Sequence, residues 1–173
     1  MLTSLIDYLR RRFPWLLPGQ HLGSTATAVR NRIFSMVLAQ KPVSANRGPK
    51  ASFTAALVAE SKRRIGGPML SGPLYARIIW FHKYKTTEGD ADNIAKRTLD
   101  SLEKVVFAND HAVTHCLAIR IDASGDMAIS QRDVDDTVFE EFLELLGEPS
   151  VPNILYIEVG EHAGTNVTFG RVN

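Results

Sequence analysis

The sequence has few of the features that settle a protein's class at once: it lacks paired cysteines, a long apolar run and a large net charge. Its single cysteine, Cys116, cannot form a disulfide within the chain, and we expect a small core residue there rather than a nucleophile. No stretch reaches the roughly 18 apolar residues that cross a bilayer. Asp7 and Arg10–Arg12 interrupt the N-terminus too early for a secretory signal. We therefore expect a cytoplasmic protein without a membrane partner.

The net charge of +1 hides a strong asymmetry along the chain. Residues 1–121 carry 18 Lys and Arg against 8 Asp and Glu, whereas residues 122–173 carry 2 against 11. Such a division is typical of a protein with one surface for a polyanion and an acidic region elsewhere. The alternative interpretation of the acidic part is a solvated helix face.

The apolar patterns predict the element order β, α, β, α, β, α, β in a chain long enough for one domain. We expect strands within residues 32–40, 73–85, 112–122 and 153–162, and helices within 52–67, after 89 and within 130–149. The strand within 73–85 is apolar on both sides and is therefore predicted to be central. The fold class is thus α/β (α+β), with a single mixed β-sheet packed by helices.

Two segments are predicted to be additions to this domain. Residues 1–31 form an N-terminal helix and linker, in which the helical spacing of the apolar residues predicts a short amphipathic helix that packs on the domain or on a partner subunit. Residues 32–173 form the domain itself, with an acidic helical insertion at 122–150. The apolar positions of the N-terminal helix are Leu2, Leu5, Ile6, Leu9 and Phe13. Those of the acidic helix are Val134, Val138, Phe142 and Leu145.

The stretch GDADNIAKRTLD, residues 89–100, places two acids at the start of a predicted helix. An N-cap role worth about 1 kcal/mol explains Asp92 but not the nearby, repelling Asp90. A divalent cation explains both, because Mg²⁺ prefers one or two carboxylates plus water. A calcium loop is excluded, since Ile94 and Ala95 stand at its fifth and sixth positions. Lys96, on the same helix face as Asp92, either forms an i,i+4 ion pair or offsets charge in a transition state.

The longer run GDADNIAKRTLDSLEKVVFANDHAV resembles the signature of the RusA family of Holliday-junction resolvases. The segment KPVSANR, upstream, is similar to the family's Pro-x-Ser-x-Asn loop, and the similarity spans about residues 33 to 121. Asn109 and His111 depart from the family pattern. The residues that carry the resemblance are Asp90, Asp92, Asn93, Lys96, Leu99, Asp100, Leu102, Asp110 and Val113.

The resemblance implies a RusA-like fold and a homodimeric, Mg²⁺-dependent endodeoxyribonuclease, with Mn²⁺ as a second candidate metal, that cuts four-way DNA junctions in recombination and repair. It implies that Asp90, Asp92 and Asp110 hold the metal and that Lys96 is catalytic. Convergence of Asp110 on the other two acids follows from the resemblance alone, because a helix antiparallel to its flanking strands returns the chain to the opposite end. The side chains expected to contact DNA phosphates are Lys83, Lys85, Arg97 and Lys104.

Two other functions fit the same residues. The first is a catalytically degenerate relative that binds branched DNA without cutting it. The second is a protein-interaction module that docks through the N-terminal helix and the acidic 122–150 segment. Retained acids argue against the first, since carboxylates near a phosphate hinder binding unless a metal lies between them.

Overall fold

The computed structural model describes residues 33–43, 51–84, 90–125, 127–129 and 134–162, and these form one mixed sheet with helices on both faces. The strands are β1 (Ile33–Leu38), β2 (Leu74–His82), β3 (Val113–Asp122) and β4 (Asn153–Glu161). The helices are α1 (Ala51–Arg64), α2 (Ala91–Leu102) and α3 (Asp136–Gly147). The predicted element order and fold class are confirmed. The predicted helix within residues 2–17 lies outside the described residues.

The sheet has the strand order β1-β4-β2-β3. β4 is antiparallel to both β1 and β2, whereas β2 and β3 are parallel. Parallel strands need a crossover, and here α2 provides it. β2 lies between two strands, so its predicted central position is confirmed.

The main core lies between the sheet and the helices α1 and α2. Apolar positions of α2 that recur every three or four residues face this core. The sequence predicts one apolar stripe on this helix, formed by Ala95, Leu99, Leu102 and Val106. The helix α2 ends at Leu102, however, and Val106 is buried in the turn that follows. The fully buried residues of this layer include Met36, Leu57, Leu74, Trp80, Leu102, Phe107, Leu155 and Ile157.

A smaller core lies on the opposite face, where α3 packs against the sheet. Val138 and Phe142 are buried, and the Phe142 ring lies 4.8 Å from that of Phe81. The side chain of Asp135 caps the helix by accepting hydrogen bonds from the backbone N–H groups of Thr137 and Val138. The predicted apolar face of this helix is confirmed, with Val134 and Leu145 half-buried.

Ion pairs at Arg64 tie together helices from the two faces. Its guanidinium contacts Glu60 on α1 and Glu141 on α3. Because both helices also pack on β1, this contact joins them around the outer edge of the sheet. The contact therefore links the helix layers of the two sheet faces through side chains.

Three local expectations need correction or comment. Cys116 is exposed rather than part of the core, because β3 is an edge strand with few covering side chains. The sequence predicts Ser52 as the N-cap of α1, but this helix begins at Ala51, so Ser52 lies within its first turn. Among the described helices, none combines the length and the apolar character that a membrane crossing requires.

Candidate active site

Asp90 and Asp92 lie at the N-terminus of α2. Asp90 is the N-cap residue, and its carbonyl accepts the first helical hydrogen bond from Ile94 N–H at 3.1 Å. The sequence predicts Asp92 at the N-cap or next to it, but Asp92 lies in the first turn, two residues after the N-cap. The carboxylate of Asp90 makes no capping hydrogen bond, and both side chains are exposed. Two carboxylates thus stand in solvent at the positive end of a helix dipole.

Lys96 lies one turn further along α2. Its ammonium lies 3.5 Å from the carboxylate of Asp100, in an i,i+4 ion pair, and both side chains are well exposed. The alternative ion pair with Asp92 is not among the contacts of the described residues. An exposed pair of this kind contributes a few tenths of a kcal/mol at most, so Lys96 is held only weakly.

Asp110 opens a 3₁₀ turn, Asp110–Ala112, directly before β3. The first residue of β3, Val113, pairs with Leu74, the first residue of β2. Asp110 therefore lies at the end of the sheet where β2 and β3 begin. It is exposed, as is the neighbouring His111.

The two groups of acids are separated by the length of α2. The helix begins after the end of β2 and runs back to the start of β3, and its 12 residues span about 18 Å. Within one chain, Asp110 is consequently not brought to Asp90 and Asp92. Among the described residues, no three His, Cys, Asp or Glu side chains are grouped so that they could hold a metal ion. One chain alone does not fit a three-carboxylate metal site.

Asp122 is an acid that the sequence motif does not include. It lies at the end of the sheet where α2 begins. It ends β3 and pairs in register with His82, the last residue of β2. Its carboxylate accepts hydrogen bonds from the backbone N–H of Ser124 at 3.0 Å and from its hydroxyl at 2.6 Å, which lower the pKa of Asp122. Those contacts are the ones expected of a turn-forming aspartate.

The basic residues expected to contact DNA differ in their surroundings. Lys104 is exposed in the turn after α2, and Arg97 is half-buried on the helix. Lys83 donates to the carbonyl oxygens of Leu145 at 2.8 Å and Glu148 at 2.5 Å, at the C-terminus of α3. Partial burial there lowers the pKa of Lys83. Lys85 lies outside the described residues, and phosphate contacts by all four remain a prediction.

Comparison with known proteins identifies a family for most of this sheet. The family described as "Endodeoxyribonuclease RusA" matches residues 32–128, more than half of the chain. That range contains the acids at both ends of α2 together with Lys96. No curated protein matches the chain.

Proposed function

Because the chain belongs to the RusA family of endodeoxyribonucleases, we propose that it is a structure-selective nuclease that resolves four-way DNA junctions by hydrolysing phosphodiester bonds. The observation that carries this proposal is the family match over residues 32–128. The described structure supports it with exposed carboxylates at the start of α2 that take no part in capping. We propose that this enzyme acts in DNA recombination and repair.

The proposed cofactor is Mg²⁺, with Mn²⁺ as the alternative, and the proposed ligands are Asp90, Asp92 and Asp110. Exposed carboxylates with room for water suit Mg²⁺, which keeps several waters when it binds to proteins. When bound, such an ion polarises the phosphate and activates water for attack. A single chain offers only the first two of these ligands in one place.

We propose that two copies of the chain complete each site. Asp110 of a second copy would approach Asp90 and Asp92 of the first, and a two-fold axis would generate the second site in the same way. Two features support this arrangement: the acids lie at opposite ends of α2, and all three are exposed. A homodimer with two sites also suits a substrate that must be cut symmetrically on two strands.

The remaining side chains would position DNA and balance its charge. Lys96 stands one turn from the acids, and its ammonium would face the scissile phosphate once it leaves the weak pair with Asp100. Arg97, Lys104 and Lys85 would contact backbone phosphates without reading sequence. Lys83 would contribute charge nearby while its ammonium stabilises the end of α3.

The activity is tested with labelled four-way junction, flap and duplex DNA, incubated with the full chain with and without Mg²⁺. We expect paired cuts in the junction with Mg²⁺ and none in its absence. Asp92→Asn should abolish cleavage while junction binding stays equal or becomes stronger. Glu144→Gln, an exposed acid on the opposite face of the sheet, is the matched control and should cut as the wild type does.

Three outcomes would contradict the proposal in whole or in part. Tight junction binding without nicking in either Mg²⁺ or Mn²⁺ would indicate the degenerate DNA-binding relative. Absence of nucleic-acid affinity, together with a stable protein partner, would indicate the interaction module. Cleavage by Asp92→Asn at the wild-type rate would reject the assignment of the acids.

A further inference from the structure

The strand β3 forms one edge of the sheet, and within the described residues only β2 pairs with it. β3 is 10 residues long, whereas β1 at the other edge has 6. Two helices, α1 and α3, pack on β1, while α2 is the helix that packs on β3. β3 is therefore the longer and less covered of the two edges.

The sequence of β3 lacks the features that usually prevent an edge strand from pairing with another chain. Residues 113–119 include no proline, lysine, arginine, aspartate or glutamate, all of which discourage such pairing. Residues 114–117 are exposed on both faces of the sheet, and the apolar side chain of Leu117 is 49% exposed. The one register shift lies at the start of the strand, and pairing with β2 is regular from His115 to Asp122. The outer side of β3 therefore suits a further strand.

We infer that this further strand is β3 of a second copy, antiparallel to the first, with the two copies of Leu117 opposite each other. When a two-fold axis perpendicular to a sheet relates two antiparallel strands, one residue must lie opposite its own copy. Leu117 suits this position because it is apolar, exposed and near the middle of β3. Each leucine then covers the other, and Val113 lies opposite Ile121 of the second copy. The two four-stranded sheets join into one continuous sheet.

The same pairing brings together the acids of the two copies, and in this respect the inference rests on the proposed function. α2 begins beyond the end of β2, returns to the start of β3 and packs on β3. A two-fold axis perpendicular to the sheet keeps both copies of α2 on one face, side by side and antiparallel. Asp90 and Asp92, at the start of α2, then share one end of the joined sheet with Asp110 of the second copy, which precedes its β3.

Pairing through the other edge strand would not assemble this site. If the two copies met at β1, the strands β4 and β1 of both copies would lie between the two α2 helices. The acids of one copy would then be far from those of the other. Of the two sheet edges, β3 is therefore the one that fits a shared site.

Sedimentation of the full chain, without DNA or metal, tests which edge is the interface. Leu117→Lys places two ammonium groups against each other at the axis, so we expect the dimer to dissociate at concentrations about a hundredfold higher than for the wild type. The matched control is Ile33→Lys, because Ile33 is 40% exposed on the opposite edge strand. This control should stay as dimeric as the wild type. Circular dichroism checks that both variants fold.

A disulfide locates the axis within β3. Leu117→Cys and Thr114→Cys are each combined with Cys116→Ser, so that one cysteine is present, and each chain is oxidised and run on a non-reducing gel. In the inferred pair, the two copies of position 117 lie about 5 Å apart and those of position 114 about 20 Å apart. A disulfide spans only the shorter distance. We therefore expect Leu117→Cys to crosslink two chains at least about tenfold faster than Thr114→Cys.

Each other outcome overturns the inference. A monomeric wild type, a dimer that survives Leu117→Lys, or one that only Ile33→Lys dissociates would exclude β3 as the interface. Equal crosslinking of the two cysteine variants would exclude the axis at Leu117, and this result decides alone if Leu117→Lys unfolds. None of these measurements requires cleavage. A β3-paired dimer that cuts no DNA would contradict only the proposed function, and a junction-cutting dimer with another interface would contradict only this inference.

Discussion

Asp90 and Asp110 lie at opposite ends of helix α2, one at its N-cap and the other in the turn that leads into β3. A site that needs both residues can then form only between two copies of the chain. Whether the three acids share a metal ion then depends on how two copies of the chain assemble. Mixing two variants tests this without any observation of the metal.

We predict that two inactive variants restore activity to each other when mixed. Asp92→Asn and Asp110→Asn should each abolish junction cleavage. In a mixed dimer, the unaltered Asp92 of one copy meets the unaltered Asp110 of the other, so one of the two sites is intact. Mixing after mild denaturation and refolding should therefore restore nicking of one strand, measured on a labelled four-way junction.

The control for this experiment is a mixture of Asp90→Asn with Asp92→Asn. These residues share one end of α2, so every site in a mixed dimer carries at least one substitution. That mixture should stay inactive. If the Asp92→Asn and Asp110→Asn mixture is equally inactive, although both variants fold and bind junctions, the shared-site proposal is wrong.

The features that the sequence predicts correctly are those that depend on residues close together in the chain. The apolar patterns around Trp80 and Ile157 locate two core strands, and the acids at 90 and 92 mark the start of α2 to within two residues. These features depend on neighbours in the sequence. The family resemblance over the same region is confirmed by the comparison.

Features set by distant contacts could not be predicted in the same way. The exposure of Cys116 depends on β3 being the edge strand, which follows from the strand order. Lys83 finds its carbonyl acceptors about 60 residues further along the chain. The position of Asp110 depends on β2 and β3 being parallel, because that pairing sets the direction in which α2 runs.

The ion pairs of Glu60 predict a pH-dependent contribution to stability. Hydrogen bonds from Arg63 and Arg64 hold the pKa of Glu60 at about 2, against the opposing effect of burial. A depressed carboxyl pKa contributes stability above the unfolded value of about 4.3, and this contribution is lost as the pH falls toward the folded value. Because Arg63 is largely exposed, we expect Glu60→Gln to lower the free energy of unfolding at pH 7 by only about 1–2 kcal/mol.

Urea unfolding at several pH values measures this effect. The difference between wild type and Glu60→Gln should shrink between about pH 4.5 and pH 2. Glu144→Gln, an exposed acid on α3, should change stability by less than about 0.5 kcal/mol. A difference that stays constant with pH would show that the substitution acts through packing and not through charge.

Lys104 adopts a left-handed backbone conformation with φ of 61°. That conformation is unfavourable for residues with a Cβ by about 1 kcal/mol, and glycine removes the cost. Lys104→Gly should therefore raise the free energy of unfolding by about 0.5–1 kcal/mol, whereas Lys104→Ala should not. Both variants lose the same charge, so both should weaken junction binding equally and reduce its salt dependence by about one phosphate contact. Unequal binding of the two variants would show that backbone shape rather than charge matters at this position.

Gly160 lies beneath the ring of Tyr75 on the neighbouring strand. A Cβ at position 160 would lie 2.7 Å from Cε1 and 2.8 Å from the hydroxyl oxygen of Tyr75, closer than real contacts allow. The ring would have to move from its place in the sheet, so we expect Gly160→Ala to destabilise the protein by about 1–2 kcal/mol. In a Tyr75→Ala background the obstruction is gone, and alanine, which costs less conformational entropy than glycine, should then be neutral or stabilising. The free energy of unfolding is measured for the wild type, both single variants and the double variant. If Gly160→Ala costs the same in both backgrounds, the Tyr75 ring is not the cause.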